Sequence, residues 1–212
     1  MCEGISHVVA IDGPAAAGKS SAAKRAADAL GFRFLDTGAM YRAATWRALN
    51  AGVNLENPEE VVASTKAMQL EMEEVNGIQR VYVDGVDVTE AIRSPEVTRV
   101  IYKVDESPEV RARMVELQRL FAAKGPTVAE GRDMGTVVFP KAQAKVYLEA
   151  SLDERARRRA NELAARGIQA DWESLKREIH ERDEKNRRRA VSPLRCAADA
   201  VVIDTTGMPL EE

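Results

Sequence analysis

The sequence predicts an α/β protein in which a parallel sheet is wrapped by helices. Short apolar or β-branched runs recur along the chain, and each is followed by a longer segment with helical periodicity. A glycine-containing loop connects the first run to the first helix, and one stretch with hairpin turns interrupts the alternation. The strands predicted for the parallel sheet are residues 8–11, 32–35, 127–129, 144–148 and 200–203.

Two helices have clear beginnings and ends in the sequence. The first is expected to begin near Lys19 and to end at Gly31. Its predicted buried stripe consists of Ala22, Ala23, Ala26, Ala27 and Leu30. A later helix is expected to begin at Pro108 and to end before Gly125-Pro126. Its predicted apolar stripe consists of Val110, Met114, Leu117 and Phe121.

The stretch of residues 69–89 departs from the strand-helix alternation. It contains Asn76-Gly77 and Asp84-Gly85, two dipeptides that favour tight hairpin turns, between runs with strand character. We therefore expect a three-stranded antiparallel insert. Such an insert is too small to have its own core, so it should pack on neighbouring helices.

Composition excludes several classes of protein. The 212 residues are 45% hydrophobic and 31% charged, which is enough for one sizeable core. No apolar run approaches the roughly 20 residues of a membrane helix, and residues 1–6 lack a signal-peptide core. With only Cys2 and Cys196 available for a disulfide, we expect a cytoplasmic protein. The net charge of -3 argues against a nucleic-acid partner, although basic residues outnumber acidic ones between residues 151 and 200.

The segment between the first predicted strand and helix is a phosphate-loop motif. Gly13-Pro14-Ala15-Ala16-Ala17-Gly18-Lys19-Ser20 matches G-x-x-x-x-G-K-[ST] in the structural context that the motif requires. Small side chains leave the main-chain N–H groups accessible to phosphate oxygens at the helix N-terminus. Lys19 is expected to bridge the β- and γ-phosphates of a nucleotide, and the Ser20 hydroxyl to coordinate Mg²⁺. The alternative is a glycine-containing turn without a ligand.

The motif predicts a nucleoside triphosphate site but leaves the reaction open. No Asn-Lys-x-Asp sequence is present, so a guanine-reading GTPase is disfavoured. Motor and transport ATPases normally have larger domains around the same loop. A small-molecule kinase is therefore the favoured class.

Three further blocks follow predicted elements. Residues 35–42 read Leu-Asp-Thr-Gly-Ala-Met-Tyr-Arg, and residues 131–140 read Gly-Arg-Asp-Met-Gly-Thr-Val-Val-Phe-Pro. Glu181-Arg182-Asp183 leads into Asn186, Arg189 and Pro193. Together these blocks resemble the bacterial cytidylate kinases, and the resemblance extends over essentially the whole chain.

The resemblance implies an ATP-dependent, Mg²⁺-requiring kinase that phosphorylates CMP and dCMP. It also implies a phosphate-loop kinase fold with a five-stranded parallel sheet, a monophosphate-binding lobe enlarged by the insert, and a mobile arginine-rich lid. Within a single domain we expect the core at residues 1–36, 126–150 and 190–212, the lobe at about 37–105 and the lid at about 151–170. We expect a monomer that acts on free nucleotides.

By resemblance, several residues contact the acceptor nucleotide. Its phosphate and orientation are assigned to Thr37, Arg42, Arg132, Arg182 and Arg189. Arginine suits this role because its planar fork binds phosphate oxygens bidentately. Arg111 and Asp133 are assigned to the cytosine base, which offers an amine donor beside ring acceptors. Arg111 could instead be a surface residue paired with Glu106 or Glu109.

The sequence itself supports the assignment of Arg182. Leu175, Ile179, Arg182, Asn186 and Arg189 recur at helical spacing and therefore share one face. An apolar face that becomes cationic indicates an anionic ligand. The alternative is a frayed helix end with Arg182 paired to Glu178.

The predicted lid also has a charged face, formed by Arg155, Arg158, Arg159, Glu162 and Arg166. Closure would bring arginines over the transferring phosphoryl group and exclude water. We expect this role for Arg155 and Arg159, although a solvated face with a Glu162–Arg166 pair explains the same pattern. Asp36 and Glu130 could each hold a water on Mg²⁺ or make structural hydrogen bonds.

Three positions depart from the family pattern. Ser20-Ser21 replaces the frequent Gly-Thr, so either serine could ligate the metal. Tyr102 stands where a small serine often touches the base. Asn186 stands where an aspartate commonly binds the ribose, and this change predicts a weaker preference for CMP over dCMP. A kinase for another acceptor, such as UMP or a small hydroxyl metabolite, and a non-catalytic nucleotide-binding module remain as alternatives.

Overall fold

The computed structural model describes residues 7–165 and 167–210. The chain divides into two compact units. One unit consists of the chain up to Arg33 together with the chain from Gly125 onward, and the other is Phe34–Lys124. The predicted lobe lies in the second unit and the predicted lid in the first. Cys2 and Arg166 lie outside the described residues.

The strands are β1 Val8–Asp12, β2 Arg33–Asp36, β3 Leu70–Val75, β4 Ile78–Val83, β5 Val86–Asp87, β6 Thr127–Gly131, β7 Ala144–Glu149 and β8 Val201–Asp204. The α-helices are α1 Lys19–Leu30, α2 Thr37–Asn50, α3 Pro58–Ala67, α4 Pro95–Val100, α5 Tyr102–Asp105, α6 Pro108–Ala122, α7 Leu152–Ala165 and α8 Trp172–Arg188. A 3₁₀ turn covers Ala91–Arg93, and a π-helical turn covers Met134–Val138.

Five strands form the predicted sheet, in the order β2-β6-β1-β7-β8. The β1–β6, β1–β7 and β7–β8 pairs are all parallel. Strands β1 and β6 are almost completely buried, as expected for the centre of a parallel sheet covered on both faces. Their register places Asp12 opposite Gly131. The segments that follow these two strands therefore start side by side at the carboxyl edge of the sheet, where α/β proteins bind ligands.

Helix α1 confirms the predicted boundaries at Lys19 and Gly31. Gly31 has a φ of 65°, a left-handed conformation that ends helices. Ala23 and Ala27 are fully buried, as predicted. Leu30 is 52% exposed, so its predicted burial is wrong. The buried row steps by four residues from Lys19 through Ala23 to Ala27, and Leu30 at the helix end is off that row.

In the second unit, β3, β4 and β5 form the predicted three-stranded antiparallel sheet. Both predicted turns have left-handed residues at their two central positions, with φ of 53° and 76° at Asn76 and Gly77. This geometry matches the twist of the strands and explains the Asn-Gly sequence. Val81 and Val83 of β4 are each 1% exposed, so the face of the insert on which they lie is buried.

Helix α6 follows its predicted stripe only in part. Val110 and Met114 are buried, whereas Leu117 and Phe121 are partly exposed. The buried row continues instead through Gln118, which is fully buried. The prediction followed apolar residues only, so it missed a buried amide.

Helices α7 and α8 pack on each other through Ala156, Leu175 and Ile179, with Leu152, Ala160 and Leu163 at the edge of the cluster. This packing confirms the apolar part of the predicted α8 face. Strand β8 is exposed on both faces. None of the helices in the described ranges is both long enough and apolar enough to cross a membrane.

Candidate active site

The phosphate loop connects β1 to α1 and depends on a close main-chain approach at Gly13. A Cβ atom on Gly13 would lie 2.0 Å from the carbonyl oxygen of Leu148 in β7, and φ there is 151°. Only glycine fits such a position. Later in the loop, Ala16 has a φ of 60°, which is uncommon for a residue with a side chain. The loop therefore holds a tightly specified conformation.

Lys19, the first residue of α1, is 5% exposed. Its Nζ donates to the carbonyl oxygen of Pro14 at 2.6 Å, so the ammonium group folds back over the loop. Burial, together with the positive charges of Arg132 and Arg182, lowers the pKa of Lys19 to about 7 against the opposing effect of Glu130 and Asp12. The structure thus brings three predicted cations into one electrostatic neighbourhood.

Arg132 follows β6, and the turn after it is held by a carboxylate on the neighbouring strand. Asp12, at the end of β1, accepts hydrogen bonds from the N–H groups of Met134 at 2.8 Å and Gly135 at 2.7 Å. Burial raises the pKa of Asp12 to about 6, although these two hydrogen bonds lower it. The clamp fixes the turn after Arg132 and the buried Asp133. Sequence reasoning missed the role of Asp12, although its position directly before the loop was a signal.

Arg132 retains hydrogen-bonding capacity. Its Nη1 donates to its neighbour's carbonyl, that of Gly131, at 3.3 Å. Its Nε is buried and has no hydrogen-bond partner among the residues that the structure describes. A buried donor without a partner is costly, so an oxygen-rich ligand would be bound favourably here.

The predicted metal ligand Ser20 meets a carboxylate. Its hydroxyl donates to Oε1 of Glu130 at 2.5 Å. Oxygen donors of this kind fit Mg²⁺, which binds few protein ligands and usually retains several waters. Ser21 is exposed. In the second unit, Asp36 caps α2 by accepting from the N–H of Ala39 at 2.9 Å and lies 3.5 Å from Arg93.

Helix α8 contributes Arg182 and Asn186 on its predicted face, but Arg189 follows the helix in an extended conformation, so its predicted place on the helical face is wrong. The amide nitrogen of Asn186 donates to the carbonyl of Arg182 at 2.9 Å, and Nη1 of Arg189 donates to Oδ1 of Asn186 at 3.3 Å. Arg189 lies just beyond the helix end, and its Nε also donates to the carbonyl of Ser192 at 2.7 Å. These contacts join the side chains of Asn186 and Arg189 to each other and to the main chain at Arg182.

Asp183, the residue between Arg182 and the other predicted contacts, is only 1% exposed. Its Oδ1 accepts from the N–H of Ala15 in the phosphate loop at 3.0 Å, and its Oδ2 pairs with Nη1 of Arg155. The same Nη1 donates to the carbonyl of Ala15 at 3.1 Å. The sequence showed Asp183 as part of a family block but suggested no role for it.

The other arginines of α7 also have carboxylate partners. Arg157 and Arg158 both pair with Glu154, and Arg159 pairs with Glu162 at 2.8 Å. Arg158 also donates to Oγ1 of Thr205 at 3.0 Å, and this hydroxyl donates to the carbonyl of Ala17 at 3.3 Å. Sequence reasoning did not place Thr205 beside the phosphate loop, because the contact joins residues far apart in the chain.

The second unit holds the other predicted acceptor residues. Thr37 begins α2 and is buried. Arg42 donates from Nη1 to Oγ1 of Thr98 at 2.8 Å. Tyr102 is 41% exposed.

Arg111 in the second unit is 2% exposed, so the alternative interpretation of it as a surface residue is wrong. Its guanidinium carbon lies 5.1 Å from the centre of the Tyr41 ring, within the range of a cation–π contact. Its Nη1 donates to the carbonyl of Asp105 at 3.2 Å.

Comparison with known proteins gives consistent relatives. The sequence profile of the cytidylate kinase family matches residues 9–212. A cytidylate kinase of Desulfitobacterium hafniense (strain Y51) is 48% identical over 96% of this chain and 88% of the relative. A cytidylate kinase of Carboxydothermus hydrogenoformans is 46% identical over 96% of this chain and 92% of the relative. A gluconokinase structure from Sinorhizobium meliloti 1021 has a TM-score of 0.49 at 15% identity over 97% of this chain and 85% of that chain, a distant likeness that adds nothing further.

Proposed function

The chain belongs to the cytidylate kinase family, and on this premise we propose that it transfers the γ-phosphoryl group of ATP to CMP and dCMP. The products are ADP and the corresponding cytidine diphosphate. We place this reaction in the cytoplasm and assign it to a monomer acting on free nucleotides.

One observation carries the proposal: the cationic neighbourhood that buried Lys19 forms with the half-buried Arg132 and Arg182 beside the phosphate loop. Burial and these arginines lower the pKa of Lys19 to about 7, because they make its positive charge unfavourable. A polyanionic ligand relieves this cost. A monophosphate and a triphosphate that must meet end to end repel each other strongly, so fixed cations are the main requirement of the chemistry.

We assign the donor ATP to the loop formed by Gly13, Pro14, Ala15, Ala16, Ala17, Gly18, Lys19, Ser20 and Ser21. The main-chain N–H groups at the start of α1 bind phosphate oxygens, and Lys19 leaves the Pro14 carbonyl to bind the β- and γ-phosphates. Ser20 and Glu130 supply the oxygen donors for Mg²⁺, directly or through water. The metal ion, when bound, neutralises phosphate charge.

We assign roles toward the acceptor residue by residue, each from the chemistry of its own side chain. Arg132, Arg182 and Arg189 bind the phosphate or orient the nucleotide, and Asp133 accepts from the cytosine amine. In the second unit, Thr37 and Arg42 are assigned to the acceptor phosphate, Arg111 to the base, and Tyr102 to the edge of the base pocket. Asn186 is assigned to the ribose. A uracil base would place a carbonyl against the Asp133 carboxylate, which disfavours UMP.

The attacking group is already an anionic phosphate oxygen, so no general base is required. Alignment and charge neutralisation are sufficient to lower the barrier. We assign the neutralising charges to Lys19, Arg132, Arg182 and the lid arginine Arg159, whereas Arg155 is held by the buried carboxylate of Asp183. A direct contact of Arg155 with the γ-phosphate would require it to leave Asp183.

A panel of acceptors tests this function. CMP, dCMP, UMP, AMP and a set of small hydroxyl metabolites are each supplied with ATP and Mg²⁺, and ADP formation is followed by a coupled assay. We expect CMP and dCMP to give the highest kcat/KM, with UMP lower by about tenfold or more. A dominant acceptor without cytosine would assign the chain to another kinase activity. Binding of ATP without turnover of any acceptor would indicate a non-catalytic module.

A further inference from the structure

The buried pair of Asp183 and Arg155 contacts both polar groups of one phosphate-loop residue. The N–H of Ala15 donates to Asp183 at 3.0 Å, and the carbonyl of Ala15 accepts from Arg155 at 3.1 Å. The two side chains also pair with each other, and they are 1% and 7% exposed. The carboxylate, the guanidinium group and the Ala15 main chain thus form one closed ring of hydrogen bonds.

These contacts determine the orientation of two successive peptide planes. In a trans peptide the N–H and C=O groups point in opposite directions. Because Asp183 holds the N–H of Ala15, the carbonyl of Pro14 in the same plane points away from Asp183, and it accepts from Lys19 at 2.6 Å. Because Arg155 holds the carbonyl of Ala15, the N–H of Ala16 points away from Arg155. The pair therefore directs the carbonyl of Pro14 toward Lys19 and the N–H of Ala16 away from α7 and α8.

The residue immediately after this ring has an unfavourable backbone conformation. Ala16 has a φ of 60°, in the left-handed region that residues with a Cβ disfavour. Such conformations persist where the surrounding structure enforces them, and they are concentrated at functional sites. The contacts at Ala15 supply that enforcement from the residue directly before it.

Packing alone is a poor explanation for the pair. Removing two charges from water is costly, and a buried ion pair is often no more stabilising than apolar side chains of similar volume. The α7–α8 interface already has an apolar cluster of Ala156, Leu175 and Ile179 that could be extended. The hydrogen bonds to the loop are what an apolar pair could not supply.

We propose that Asp183 and Arg155 are positioning residues, which together form a brace that presets the phosphate loop for its nucleotide. The brace keeps Ala16 in its left-handed conformation, with its N–H available to a phosphate oxygen. It thereby raises the affinity for both ATP and ADP. This inference rests on the proposed binding of ATP at the loop, but it does not depend on the identity of the acceptor.

The first test compares nucleotide affinities by isothermal titration calorimetry. Asp183→Asn retains the side-chain shape but removes the charge that pairs with Arg155, and Glu184→Gln is the matched control on the next residue. We expect Asp183→Asn to weaken ATP and ADP alike by about tenfold, because one buried charge-assisted contact is lost. Glu184→Gln should change both by less than about twofold, since its partners are the outer arginines Arg187 and Arg188.

The ADP measurement separates the brace from a direct catalytic contact. If Arg155 acted on the γ-phosphate, Arg155→Met would weaken ATP and leave ADP unchanged. The brace instead requires a parallel loss for both nucleotides and a KM for ATP that rises more than the KM for CMP. A loss restricted to ATP, or unchanged affinities in a folded variant, would overturn the proposal.

A double-mutant cycle tests the link to Ala16. Glycine adopts a left-handed conformation without strain, so Ala16→Gly should make the loop less dependent on the brace. In the Ala16→Gly background we expect Asp183→Asn to weaken ADP by about threefold or less. An equal loss in both backgrounds would show that the pair does not act through Ala16.

Folding is monitored by thermal unfolding for every variant. If Asp183→Asn does not fold, Asp183→Glu serves instead, because it retains the charge beside Arg155 and displaces the oxygen that accepts from Ala15. A normal ADP affinity in this variant would contradict the brace. The binding tests need no acceptor, so they stand even if the acceptor panel fails to support CMP.

Discussion

The phosphate loop and helix α7 both carry several cations, but they hold them differently. All four arginines of α7, namely Arg155, Arg157, Arg158 and Arg159, have carboxylate partners. At the loop, Lys19 donates to a main-chain carbonyl, and the largest effect of a neighbouring charge on its pKa comes from another cation, Arg132. The loop thus holds a positive charge that lowers the stability of the fold, whereas the arginines of α7 are already paired with carboxylates.

This difference indicates which of the two regions can bind an anion more favourably. A phosphate that binds at the loop relieves repulsion that exists before binding, and for it Lys19 gives up only a bond to a neutral main-chain carbonyl. A phosphate that recruits an α7 arginine must first replace a carboxylate. Large functional effects with little loss of stability are therefore expected at the loop, and smaller ones on α7.

The largest effect is expected from Lys19→Met, which removes the stored charge and retains an unbranched side chain. Turnover should fall by about a thousandfold or more, because the cation that bridges the phosphates is lost. The free energy of unfolding at pH 7 should rise by about 1 to 3 kcal/mol, because a buried cation beside two arginines is replaced by an apolar group. Kinetics and urea denaturation measure the two effects, and a destabilised Lys19→Met would contradict the comparison.

A proton-linked effect on ATP binding should follow from the lowered pKa of Lys19. Without a ligand this pKa is about 7, and the bound triphosphate raises it toward or above the ordinary value of 10.5. Between these values the complex holds more protons than the free protein, so ATP affinity should fall by up to about tenfold per pH unit as the pH rises.

Calorimetry at about pH 8.5, in two buffers of different ionisation enthalpy, measures this linkage. Uptake of nearly one proton per ATP is expected for the native chain. Lys19→Arg should take up almost none, because arginine is protonated in both states. Equal uptake by the two proteins would place the titrating group elsewhere.

A moderate effect is expected on α7. Arg159→Gln should lower kcat by about three- to fivefold, because the arginine must exchange Glu162 for phosphate before it contributes. Arg157→Gln is the control, since Arg157 pairs with Glu154 and is not assigned to the site; it should stay within about twofold. An Arg159 effect as large as that of Lys19 would remove the distinction between the two regions.

The smallest effect concerns Arg189, whose Nη1 faces the neutral amide oxygen of Asn186. Asn186→Asp converts this contact into an ion pair and provides a stronger acceptor for a ribose hydroxyl. The ratio of kcat/KM for CMP to that for dCMP should rise by about two- to threefold. Competition between the two substrates gives this ratio directly. A ratio that does not rise would exclude a ribose contact that depends on the acceptor strength of residue 186.

Local patterns in the sequence predicted much of the fold. The turns at Asn76-Gly77 and Asp84-Gly85, the start of α1 at Lys19 and its end at Gly31 all depend on nearest neighbours, so a single sequence specifies them. The buried amide of Gln118 and the exposed Leu30 depend on what lies opposite each helix. Periodicity carries no information about that surrounding structure.

The same distinction between local and long-range information applies to the candidate site. The motif predicted the loop, Lys19 and Ser20, because their chemistry follows from the spacing of residues within one short segment of the sequence. The contact of Asp183 with Ala15 joins residues 168 positions apart, and the clamp of Asp12 on Gly135 joins residues 123 apart. Such pairs arise from the packing of distant elements, which no local pattern specifies.

Asp183 and Arg182 are consecutive residues of α8, one in contact with the donor loop and the other assigned to the acceptor phosphate. With the brace in place, any tilt of α8 that one nucleotide induces would change the binding of the other nucleotide. Thermodynamic reciprocity then requires each nucleotide to alter the affinity of its companion by the same factor. Cooperative binding of the two substrates would thus follow from the adjacent positions of Arg182 and Asp183 in α8.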